Sequence, residues 1–282
     1  MISHRKLPWL IAIFLTAISP AVYPADDPAP TPASITVQPK AIELRHSRQP
    51  HLIQVLGSSA DGYSLDLHGQ AKFASADPRI AAVDAQGWVR PLASGQTQVT
   101  VTVAGQTRMV PVKVQLPASQ PSYSFRHEVM PVLAKAGCNM GACHGYSLGK
   151  NGFKLSLRGA DPEQDYNSIT EEFFSRRVNF QHPRSSLLVM KPCGDAPHEG
   201  GVRFPKGSLL DDILVKWIEQ KAPGDLADKA RVIGVRLVPD NLVLRPGQKH
   251  RLQMLADYND GTSRDVTRLG IFTANNTLFA DV

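Results

Sequence analysis

Cysteine is scarce in this 282-residue chain. There are three, too few for a disulfide framework, and an odd number leaves at least one thiol to be accounted for. Aromatic residues make up only 7% of the chain, and no stripe of Lys and Arg is interleaved with them. The formal charge of +6, which falls to +4 without Arg5 and Lys6, is scattered, so nothing points to a nucleic-acid partner. Beyond the first twenty or so residues no run is apolar enough to span a bilayer. Paired carboxylates and nucleophile–base motifs are also missing from any recognisable context, which argues against an enzyme.

What is present begins with an address. Arg5 and Lys6 precede an apolar run from Leu7 to Ala17, followed by the small residues of Ser19-Pro20-Ala21. The apolar stretch is too short for a membrane span and a Pro-rich segment follows, so residues 1–21 read as a secretory signal peptide. Export to a bacterial periplasm or cell surface follows from that reading. Residues 22–34, with Pro28, Pro30 and Pro32 alternating with small residues, read as an extended linker.

Residues 35–116 read as β. Val99, Val101 and Val103 alternate with polar residues, Ala104-Gly105 marks a turn, and Val110, Val112 and Val114 alternate again. That pattern predicts a hairpin with one buried face, with Pro111 at an edge or a non-bonded position. Residues 235–282 repeat the first half of this segment. Ile35-Thr36-Val37-Gln38-Pro39 answers to Val235-Arg236-Leu237-Val238-Pro239, and Ala60-Asp61-Gly62 answers to Asn259-Asp260-Gly261. The second copy stops before its own hairpin, which implies a fragment or a truncated gene. Both copies resemble the bacterial immunoglobulin-like group 2 domain, through Asp260-Gly261-Thr262 with Asp265-Val266-Thr267 and through Ser75-Ala76-Asp77-Pro78 with Gly87-Trp88-Val89. The resemblance implies a spacer or adhesive module.

Residues 121–223 change to a helical period. Phe125, Val129, Val132 and Leu133 share a face behind a Ser124 cap, and Pro131 predicts a kink. Leu209, Leu210, Ile213, Leu214, Trp217 and Ile218 form a second stripe, capped by Ser208. Just after the first helix stands Cys138-Asn139-Met140-Gly141-Ala142-Cys143-His144. Two cysteines with a histidine directly after the second is the order that attaches haem: each thiol adds to a porphyrin vinyl group and the imidazole reaches the iron. The usual spacing is two residues; here it is four.

The segment resembles planctomycete-type cytochrome c domains. The resemblance runs through Gly149-Lys150-Asn151-Gly152-Phe153-Lys154, Ser186-Leu187-Leu188, Lys191-Pro192, His198-Glu199-Gly200-Gly201 and Trp217-Ile218. It implies haem c on Cys138 and Cys143, with His144 as the proximal iron ligand. For the distal position His198 is preferred over Met190 and His182, and Met190 is the alternative. Arg176 and Arg177 read as an exposed face, or as partners of the haem propionates.

The chain therefore reads as multidomain: an all-β immunoglobulin-like sandwich, a mainly α cytochrome c-like domain, then a truncated second β-sandwich. Its function would be electron transfer or redox sensing with an unidentified redox partner, the β units acting as spacers. The competing reading is a non-haem cell-surface interaction protein. In it Cys138 and Cys143 form a disulfide, or Cys138, Cys143, His144 and Cys193 bind zinc. Cleavage after Ala21 predicts a mature protein beginning at Val22, which N-terminal sequencing of the exported chain would check; a start at Met1 would reject it.

Overall fold

Alternating valines build the first β unit. In the computed structural model, which describes residues 32–225 and 230–282, strands β9 (Gly95–Val103) and β10 (Gln106–Val114) form the expected hairpin. The expected signal peptide, residues 1–21, and the expected linker through Thr31 lie outside the described residues. Because side chains alternate faces along a strand, Val99, Val101, Val103, Val110, Val112 and Val114 all point inward and are at most 2% exposed. They pack on Val37, Ile42, Leu44, Ile53, Val55 and Leu65.

Those partners come from β1 (Ser34–Gln38), β2 (Ile42–Leu44), β4 (Gln54–Ser58), β5 (Ser64–Asp66) and the segment before β4. Strands β3 (His51–Leu52), β6 (Lys72–Ser75), β7 (Ala81–Val83) and β8 (Trp88–Pro91) complete the unit. They form three small sheets, ordered β1-β4-β5, β2-β10-β9-β6 and β3-β8-β7. Pro111 lies in an inner strand, yet the parallel pairing with β2 begins only at Val112, so its missing N–H is not needed there.

The repeat is visible in the register. Strands β11 (Val232–Val238), β12 (Gln253–Tyr258) and β13 (Ser263–Asp265) form a sheet in which Val238 faces Gln253 and Leu255 faces Asp265. Gln38 faces Gln54 and Leu56 faces Asp66 in the first unit. The copies also bind each other reciprocally. The Leu52 N–H donates to Asp265 at 2.9 Å, and its counterpart, the Arg251 N–H, donates to Asp66 at 2.9 Å.

Between the copies, a helix from Phe125 to Lys135 starts with one wide turn and continues as α-helix from Met130. Ser124 caps it by accepting from the His127 N–H at 2.9 Å. Pro131 falls at the change of winding, at the start of the α portion. The helix Leu209–Glu219 is capped by Ser208 and buries Ile213, Leu214, Trp217 and Ile218. Trp217 packs 5.5 Å from the Phe125 ring, so the two helices share one core.

The fold class expected from the sequence is corrected by this structure. Of the described residues 21% are helical and 26% strand, in several small sheets, and among them there is no mainly α cytochrome-like domain. The reason is local. The stretch 136–161 holds Gly137, Gly141, Gly145, Gly149, Gly152 and Gly159, and it runs as turns with a single 3₁₀ turn at Leu157–Gly159 and no α-helix, with positive φ at Gly137, Gly149, Asn151, Gly152, Arg158 and Gly159. The segment 183–193 divides at Ser186, into a single 3₁₀ turn and the helix Leu187–Cys193. The first β unit likewise has three sheets where a sandwich has two. Among the described residues no helix is long and apolar enough to cross a membrane.

Arg48 fastens the first β unit to the central segment. Its guanidinium grips both carboxylate oxygens of Glu128 (2.9 and 3.0 Å) and the carbonyls of Pro121 and Ser122, and lies 3.9 Å from the Tyr123 ring centre. Hydrogen bonds to charged groups contribute about 1.5–3 kcal/mol each, less where solvent reaches them. Arg48→Ala should lower the unfolding free energy by about 2 kcal/mol in urea titrations, and Arg48→Lys should recover little, since lysine lacks the planar fork. Unchanged midpoints for both would show the clamp to be without energetic weight.

Candidate functional site

The cysteine loop closes on itself through backbone contacts. The Cys138 N–H donates to the Leu133 carbonyl at 2.8 Å as the helix ends, and the His144 N–H returns to the Cys138 carbonyl at 2.9 Å. Inside this ring the Cys143 N–H donates to Met140, and outside it the Leu155 N–H donates to His144 and the Arg158 N–H to Asn139. A Cβ on Gly145 would run into the Asn139 carbonyl, so only glycine allows the approach. Cys138, Ala142 and Cys143 all lie on the wall of one cavity.

That cavity measures about 630 Å³, within the range of cofactor sites. Leu133, Leu187, Leu188, Phe204, Leu214 and Phe153 supply apolar lining. Lys150, Arg176, Arg177 and Lys191 line it as well, against the single carboxylate of Glu199. Arg177, read from sequence as exposed, is only 6% exposed.

His144 and His198 also line this cavity, with ring centres 6.4 Å apart and ring planes within 8° of parallel. The Nδ1–H of His144 donates to the Phe153 carbonyl at 3.0 Å, and that of His198 donates to the Gly201 carbonyl at 2.9 Å. A carbonyl only accepts, so in each neutral ring the proton sits on Nδ1 and Nε2 keeps its lone pair. This is the arrangement that orients imidazoles toward a metal. Burial lowers the His144 pKa below its ordinary value, and the cations Arg177 and Lys191 lower it further against the opposing Phe153 bond. His144 is therefore held neutral, the state a metal needs.

A haem group fits these residues. His144 and His198 would supply two imidazole nitrogens to the iron. Two thiols share the wall with the histidines, the lining is apolar, and the cations suit an occupant carrying carboxylates.

No protein-family model matches the chain, and no curated protein matches it. Solved structures similar in part are domains 4 and 5 of the S-layer protein SbsC (21% identity over 31% of this chain and 54% of that one, TM-score 0.27). Domains 5–6 of the same protein share 21% identity over 33% of this chain and 48% of that one, at a TM-score of 0.26. The chain thus spans about half the length of these neighbours, and at such TM-scores the likeness carries no argument.

The other sequence candidates lie elsewhere. Met190 is half-buried in the helix Leu187–Cys193, and neither it nor the exposed His182 is among the residues lining the cavity. Cys193 is also outside it; its thiol donates to Asp211 at 3.5 Å. All three cysteines are free thiols. Among the described residues no group of three or more His, Cys, Asp or Glu is placed to hold a metal ion, so the zinc set is not assembled.

Sequence reasoning missed two carbonyls, those of Phe153 and Gly201. The turn signals Gly149-Lys150-Asn151-Gly152 and Glu199-Gly200-Gly201 mark where each chain bends back toward its histidine.

Burial raises the Cys138 thiol to about 11. Thiolate is the reactive form, so at pH 8 Cys138 should alkylate about a hundredfold more slowly than an exposed thiol with the ordinary value of 9.0. Its rate should rise about tenfold per pH unit up to about pH 11. Iodoacetamide labelling of the haem-free full chain, read by peptide mass mapping, checks this; fast labelling at pH 8 would contradict the burial.

Proposed function

We propose that this cavity binds haem c, held covalently by Cys138 and Cys143 with His144 and His198 as the two axial ligands, and that the chain is an exported electron-transfer or redox-sensing protein. The observation that carries the reading is the near-parallel pair of imidazoles, each with Nδ1 committed to a carbonyl, on the wall that bears both thiols. The likeness to planctomycete-type cytochrome c domains in the run Cys138–His144 and the loop His198–Gly201 supports it independently. Bound haem would supply one-electron chemistry.

The residues of the chain do the rest. Phe153 and Gly201 hold the two imidazoles in one tautomer and orientation. Leu133, Leu188, Phe204 and Leu214 give the cavity an apolar lining, and Lys150, Arg176, Arg177 and Lys191 offer charge to carboxylates. Arg5-Lys6 and the run Leu7–Ala17 support export to the periplasm or cell surface. The β units would act as spacers, and the redox partner would meet the haem at the cavity mouth.

The test is a pyridine haemochrome on protein exported from a host with a working cytochrome c maturation system. A c-type spectrum that stays with the denatured chain is expected. Its absence, with a control cytochrome maturing normally, would overturn the reading in favour of a non-haem interaction protein. In the holoprotein His198→Met should raise the potential relative to two histidines. His198→Ala should leave a site open to added imidazole, and an unchanged spectrum in His198→Ala would remove His198 from the iron.

A further inference from the structure

Arg177 is a cation in an unusual place. It is 6% exposed, it lines the cavity, and its ion-pair partner Glu172 stands at 3.5 Å on a side chain that is 46% exposed. The positive charge is thus weakly balanced inside the protein, which is costly unless the guanidinium is well bonded. It is well bonded, to backbone. One nitrogen donates to the Ser168 carbonyl at 2.5 Å and the other to the Gly152 carbonyl at 2.7 Å. The guanidinium carbon lies 4.4 Å from the Phe153 ring centre.

Gly152 and Phe153 belong to the tight turn in which Lys150 and Phe153 exchange backbone hydrogen bonds, both at 2.9 Å. The same Phe153 carbonyl takes the His144 Nδ1–H, and the Phe153 ring packs 4.5 Å from the imidazole. Arg177 therefore grips, by the Gly152 carbonyl and the Phe153 ring, the turn whose Phe153 orients His144.

We propose that Arg177 is the positioning residue of His144: its planar fork fixes the turn whose carbonyl sets the His144 tautomer, and its charge biases the iron that His144 would ligate toward the reduced state. The second half rests on the haem reading of this cavity; the first does not. Lysine separates the two, because it keeps the charge but can neither span two carbonyls in one plane nor stack as a guanidinium does.

Two measurements test this on the full chain. In the haem-free protein, ¹⁵N NMR should show His144 of the wild type as the Nδ1–H tautomer, and both Arg177→Gln and Arg177→Lys should bring in the other tautomer. In the holoprotein, Arg177→Gln should favour the oxidised form at least tenfold, which is about 59 mV for one electron, while Arg177→Lys should stay near the wild-type potential. An unchanged tautomer in Arg177→Lys overturns the positioning role even if Arg177→Gln fails to fold. An unchanged potential in a folded, haem-loaded Arg177→Gln overturns the charge role. Wild-type protein without haem, under conditions that mature a control, overturns the haem reading and leaves the tautomer measurement to decide the positioning role.

Discussion

The candidate site depends on one close approach of backbone to backbone. Gly145 passes so near the Asn139 carbonyl that no side chain would fit between them. Because of that contact the segment after the helix Phe125–Lys135 turns back at once, and the His144 N–H closes on Cys138. Two sulfurs separated by four residues thereby reach the same wall as the imidazole that follows them. A side chain at 145 would push the loop open and move His144 away from Phe153, whose carbonyl fixes its ring. The longer cysteine spacing is accommodated by a specific turn, with the sulfurs kept together.

Around this loop, stability and chemistry draw on the same residues. Leu133 and Leu214 lie in the core shared by the helices Phe125–Lys135 and Leu209–Glu219, and they also line the cavity. The helix Phe125–Lys135 is anchored at its start by Arg48 on Glu128 and near its end by Lys135 donating to the Gly270 carbonyl at 2.6 Å. Both β units therefore hold the element that delivers Cys138. A large apolar occupant of the cavity would extend this core, so occupancy and folding would be linked through the same apolar contacts.

Much of the local structure could be read from the residues. Valine alternation around Ala104-Gly105 located the hairpin, Ser124 and Ser208 located two helix starts, and the internal repeat emerged as matching strand registers. The overall class could not, for a stated reason. Apolar periodicity in 121–223 marks two helices, but it carries no information on the glycine-rich stretch between them, where conformation is set by positive φ and close contacts. Residue types named both cysteines and both histidines as candidates, and the structure brings all four to one cavity. Arg177 was misread because a buried guanidinium bonded to backbone carbonyls leaves no pattern along the chain; Ser168 and Gly152 are its partners only in space.

The reciprocal bonds between the two β units have the geometry of a symmetric dimer written into a single polypeptide. Position 52 of one copy meets position 265 of the other, and the equivalent pair, 251 and 66, meets the other way round. The two aspartates thus accept equivalent backbone bonds from opposite copies, although they are nearly two hundred residues apart in sequence. Sequence change in one repeat is consequently constrained by its twin. A shift that moves Asp66 away from Arg251 also displaces the frame in which Leu52 meets Asp265, so substitutions at these two distant sites would combine non-additively.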